Sequence, residues 1–96
     1  SIPAYRGLLK PRLKLLAVSY EQTALLATVE VEAPLTETTI EANHLTVEGA
    51  IPDHLGSDFP WTIKANEPSI FSLRLRPTAN IIQVKLGEQG FEILIE

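Results

Sequence analysis

Leu25-Leu26-Ala27-Thr28-Val29-Glu30-Val31-Glu32 is the stretch on which the fold class turns. Its odd positions (25, 27, 29, 31) are all apolar, while Thr28, Glu30 and Glu32 fall between them. Side chains of an extended strand alternate between two faces, so this spacing buries one face and leaves the other in water. An amphipathic helix needs apolar recurrence at three and four residues, and no segment of the chain sustains it.

The same period of two recurs outward from this stretch. Phe71, Leu73 and Leu75 alternate with Ser72, Arg74 and Arg76. Ile82, Val84 and Leu86 alternate with Gln83 and Lys85, and Phe91, Ile93 and Ile95 with Glu92 and Glu96. Leu45 and Val47 alternate with Thr46 and Glu48. Turn-forming residues separate the runs at Tyr20–Thr23, Pro34–Thr38, Asn43-His44, Pro77–Asn80 and Gly87–Gly90. Asparagine tolerates the left-handed region, so Asn43 is expected to take it in a tight bend, as glycine does in the 87–90 hairpin. Residues 49–69 form the longest irregular stretch, with Trp61-Thr62-Ile63-Lys64 as a short edge strand inside it. Each strand has one apolar face to bury, so about seven of them imply an all-β, two-layer antiparallel sandwich. Residues 12–96 read as its single domain and 1–11, with Pro3, Gly7 and Pro11, as a lead-in or linker. A start at Ser1 and no methionine suggest a piece of a longer protein.

At 96 residues, with 45% hydrophobic and 21% charged residues, the chain suits one globular domain, not a disordered, collagenous or coiled-coil chain. It has no cysteine, which removes disulfides and thiolate chemistry. No apolar run approaches the roughly 18 residues of a membrane span, and no signal-peptide pattern opens the sequence. A net charge of −4 argues against nucleic acid as the main partner. The expected compartment is the cytoplasm, with the nucleus as an addition.

Charge is segregated along the chain. Arg6, Lys10, Arg12 and Lys14 precede any acid, and residues 21–58 hold eight acids without a lysine or arginine. A hairpin register that sets Arg12 opposite Glu32 also sets Lys14 opposite Glu30, on the solvent face. The alternative is an acidic surface at Glu30 and Glu32 that recognises a basic partner.

Residue types for chemistry are thin. His54 with Asp53 and Asp58 is the only cluster resembling a metal site, and it lacks the spacing of a known motif. Ser57 near His54 and Asp58 has the types of a nucleophilic triad without a G-x-S-x-G elbow. Glu30 and Glu32 project from one strand face, as solubilising acids commonly do. The expectation is therefore no enzyme, no metal and no cofactor. Leu55, Phe59, Trp61 and Ile63 lie in the proline-punctuated loop, where an exposed apolar cluster would mark a partner site. The competing reading has Trp61 capping the core. Leu16, Val18, Leu26 and Leu94 are expected on outer strand faces.

Val29–Pro34, Ile40 and Leu45-Thr46-Val47-Glu48-Gly49 resemble the Hsp20/α-crystallin and p23-type CS domain pattern. There an apolar strand ending near a proline precedes a pair whose second member reads L-x-V-x-G. Phe71-Ser72-Leu73-Arg74-Leu75-Arg76-Pro77 is similar to its aromatic-x-L-x-L strand, and Ile82–Ile95 to its closing hairpin. The resemblance spans residues 12–96. It lacks the C-terminal I-x-I/V tail of oligomeric small heat-shock proteins and the tryptophan of p23, and is nearest the C-terminal CS domain of PIH1-type adaptors. It implies a non-catalytic protein–protein interaction domain in an Hsp90-linked co-chaperone or assembly adaptor, whose partners are other proteins. The alternative is an immunoglobulin or fibronectin-III-like sandwich acting as a structural, spacer or binding domain.

Overall fold

Nine strands make up the computed structural model, which describes residues 11–95, and most of them follow the alternations of the sequence. They are β1 (Leu13–Glu21), β2 (Ala24–Val31), β3 (Thr38–Ile40), β4 (Thr46–Glu48), β5 (Ala50–Asp53), β6 (Trp61–Ile63), β7 (Ser69–Pro77), β8 (Ile81–Leu86) and β9 (Gln89–Leu94). The lead-in expected over 1–11 lies outside the described residues except for Pro11. All pairings are antiparallel. One sheet has the order β1-β2-β7-β5, a second β4-β8-β9, and β3 with β6 forms a two-stranded ribbon. Inward residues of all three meet in one core that includes Leu25, Val29, Leu73, Leu75, Ile82, Val84, Trp61 and Ile63. The chain is thus all-β, with antiparallel sheets around a shared core. Strand β3 holds the expected run at Ile40, whereas β5 forms inside the stretch 49–69 expected to be irregular apart from Trp61–Lys64.

The deciding stretch behaves as its alternation predicts: Leu25, Ala27, Val29 and Val31 are buried, and its neighbours β1 and β7 flank it on both edges. Lys14 pairs with Glu30 in register, and the Glu32 N–H donates to the Arg12 carbonyl at 2.9 Å, which is the charge-matched register. A bulge between Leu15 and Ala17 then shifts the phase of β1. An extra residue in one strand reverses the inward set beyond it. Leu13 and Leu15 face the core before the bulge and Val18 after it, so the expected outward placement of Val18 is corrected. Leu16, the extra residue, stays exposed.

Gly49 carries the chain from one sheet to the other, since β4 pairs with β8 and β5 pairs with β7. It has φ +84, and a Cβ there would stand 2.0 Å from the Ile81 carbonyl oxygen, so only glycine fits the crossing. Gly87 takes φ +67 in the β8–β9 hairpin as expected, but the loop is only Gly87-Glu88. Asn43 does not take the left-handed region. Residues 42–44 form a 3₁₀ turn in which His44 Nδ1 accepts from the Glu41 N–H at 2.9 Å. Among the described residues, the positive-φ residues other than glycine are Gln22 and Asn66.

Candidate functional site

The connection from β5 to β6 is held mainly by single side chains, where the other edge of the same strand, β7, is held by a full partner strand. Strand β7 is paired along one edge by β2, from Leu25 opposite Leu75 to Val31 opposite Ser69. On its other edge β5 covers only Arg74–Pro77. Below Arg74 the connection supplies substitutes for a strand. The Arg74 N–H donates to Ser57 Oγ at 2.8 Å, and the Ser72 N–H lies 3.1 Å from both carboxylate oxygens of Asp58. In return the Asp58 N–H donates to the Ser72 carbonyl at 3.4 Å. Backbone donors left bare on a sheet edge invite other chains to pair, and these side chains close that edge.

The same residues fix the connection itself. Asp53 Oδ1 accepts from the N–H groups of Leu55 and Gly56, both at 3.1 Å. Ser57 Oγ–H donates to the Asp53 carbonyl at 2.8 Å. An aspartate that binds amides two and three residues on builds a turn without a strand partner. Arg74 lies under this turn, with Nη1 at 2.5 Å from Glu21 Oε1 and Nε at 3.4 Å from Asp53 Oδ2. A Cβ at Gly56 would stand 2.2 Å from Arg74 Cδ, so the turn rests directly on the arginine stem.

Beyond the turn the chain descends into the core. Trp61 is fully buried and donates its Nε1–H to Asp58 Oδ1 at 2.7 Å. Its ring stacks between Phe59 (centroids 4.4 Å apart) and Phe71 (5.0 Å), near parallel to both. Phe59 is half-buried, and His54 meets its ring edge-on at 6.5 Å.

The six residues expected to bind a partner therefore separate. Trp61 and Ile63 are 0% exposed, so their place in a contact surface is corrected: β6 pairs with β3 and turns both side chains into the core. Phe59 offers only its outer part. Leu55 is 99% exposed at the crest of the fixed turn. Glu30 and Glu32 sit near the other end of the sheet, beside Lys14 and Arg12 of the neighbouring strand, with which they line a common cleft with Pro68. They share no surface with Leu55, and Lys14 of β1 stands opposite Glu30 in the register.

Sequence reasoning missed two neighbours of Leu55. Ile51, exposed on β5, and Arg76, its partner on β7, line a cleft of about 220 Å³ with Pro52, Asp53, His54 and Leu55. The spacing Asp53-x-x-Gly56 was the available signal for the turn.

The pieces of the metal and triad readings are otherwise engaged. Asp53 binds the turn amides and Arg74, Asp58 binds Trp61 and Ser72, and Ser57 bonds backbone groups while His54 lies against Phe59. Among the described residues no group of three His, Cys, Asp or Glu side chains is placed to hold a metal ion, and no helix is long and apolar enough to cross a membrane. No protein-family model matches the chain, and no curated protein or solved structure matches it either.

Proposed function

We propose that this chain is a non-catalytic protein–protein interaction module built on an immunoglobulin-like sandwich, with the Asp53–Ser57 turn as its point of contact. Leu55 is the observation that carries the reading. It is 99% exposed, on a turn whose backbone is bound by Asp53 and Ser57. A leucine left in water adds nothing to folding, whereas an apolar side chain on a fixed turn meets a partner at a reduced ordering cost.

Strand order supports the immunoglobulin-like form. With β1, β2, β7 and β5 as A, B, E and D, and β4, β8 and β9 as C, F and G, the two sheets follow the A-B-E-D and C-F-G arrangement of seven-stranded immunoglobulin sandwiches, with the β3–β6 ribbon added. The Hsp90-linked adaptor of CS type is the second reading, supported by the motif resemblance. Those motifs also follow from the sandwich itself. Leu45–Gly49 is an alternating strand ending at the sheet-crossing glycine, and Phe71, Leu73 and Leu75 are the inward face of β7.

Photo-crosslinking in the cells that make the protein tests the proposal, with the crosslinker at position 55 or at position 85 on the β4-β8-β9 sheet. Capture of a defined protein from position 55 and not from 85 is the expected result, and an Hsp90-complex subunit among the captured proteins favours the second reading. Capture from 85 alone overturns the assignment of the turn.

A further inference from the structure

Resting on the turn as the contact point, we infer that its partner is an acidic peptide segment in which an apolar side chain is followed directly by a carboxylate. The cleft beside Leu55 combines two chemistries. Ile51, Pro52 and Leu55 give it apolar walls, two of them strongly exposed. Arg76 stands on the same wall, directly opposite Ile51 in the β5–β7 register.

The two arginines of β7 differ in what they face. Arg74 is held by Glu21 and Asp53 and supports the turn from beneath. Arg76, two residues along the same face, is exposed and makes no ion pair among the described residues. The nearest acid in the cleft, Asp53, is already committed to the turn amides and Arg74. In a chain of net charge −4, this is a cation beside exposed apolar surface with no acid paired to it among the described residues. Guanidinium binds a carboxylate with paired N–H donors, and the apolar walls take the adjacent side chain. Charge at such an exposed site steers and selects while the apolar contact supplies the affinity.

Three matched peptides test this, Gly-Ser-Leu-Xaa-Leu-Ser-Gly with Xaa as Glu, Gln or Lys, titrated into the ¹⁵N-labelled protein. The backbone amides of Ile51, Leu55, Gly56 and Arg76 are expected to shift, with the Glu peptide bound about threefold to fivefold more tightly than the Gln peptide and the Lys peptide weakest. Arg76→Glu should reverse that order, and Leu55→Ser should weaken all three. Equal binding of the three peptides, unchanged in Arg76→Glu, overturns the acidic partner while leaving Leu55 as a contact. Absence of shifts at these amides for every peptide also overturns it. In that case crosslinking from position 55 decides separately whether the turn is a contact at all.

Discussion

Strand β7 has two edges, and they are closed by different means. Against β2 it runs a continuous antiparallel ladder over seven residue pairs. Against the β5–β6 connection it has a four-residue strand, then the Ser57 hydroxyl, then the Asp58 carboxylate. The ladder is redundant, since each backbone bond is one of many and the inward residues pack as a set. The second edge depends on two side chains that cannot replace each other. This difference leaves the connection free to rise from the sheet between Asp53 and Ser57 and hold Leu55 in water while Trp61 anchors it below.

Breaking the anchor should have the largest effect. Trp61→Ala removes a fully buried ring from between Phe59 and Phe71, and about 3–5 kcal/mol of stability should be lost in urea unfolding followed by circular dichroism. A loss below ~1 kcal/mol would return Trp61 to the surface. Asp58→Ala comes next, at about 2–3 kcal/mol, because the Trp61 Nε1–H and the Ser72 N–H both lose their acceptor. Amide exchange sharpens the comparison: Ser72 should lose protection in this variant, while Leu73, in the β2 ladder, should keep it. Equal loss at both amides would mean the two edges are not independent.

Ser57→Ala should cost about 1 kcal/mol, since one hydroxyl both donates to the Asp53 carbonyl and accepts from the Arg74 N–H. The smallest effect belongs to Leu55→Ser, within ~0.5 kcal/mol of wild type, because the side chain has almost no folded-state contact to lose. A clear drop in melting temperature for Leu55→Ser would show that the leucine packs, and would remove it as a contact residue.

These edges also differ in how far they can be read from sequence. The ladder is written as period two at 25–31 and 71–75, and the Lys14–Glu30 register as charge segregation. A break in the period at Leu15-Leu16 marked the bulge, though alternation alone could not place it. Strand β5 was hidden by Pro52, which reads as a turn residue. The N–H groups of Ser72 and Arg74 point toward this side of β7, so by alternation the Arg76 N–H does too, making Ile51 and Arg76 the mutually bonded pair. The nitrogen of Pro52 then faces the open edge, where no donor is needed. For the site, the presence of Leu55 and Trp61 in one loop was legible, but their opposite fates were not. That separation depends on Asp58 of the connection reaching both Trp61 on β6 and, 14 positions along the chain from itself, Ser72 on β7.

The Asp53 carboxylate and the Ser57 hydroxyl, with one backbone bond from the Ser57 N–H to the His54 carbonyl at 3.4 Å, make the Asp53–Ser57 turn rigid enough to present Leu55. ¹⁵N relaxation of the wild-type protein tests it most directly. Order parameters at Leu55 and Gly56 should match the rigid sheet, at about 0.85, and fall selectively in Asp53→Ala. Values below about 0.6 at both residues in the wild type would contradict it, because the leucine would then sit on a flexible loop.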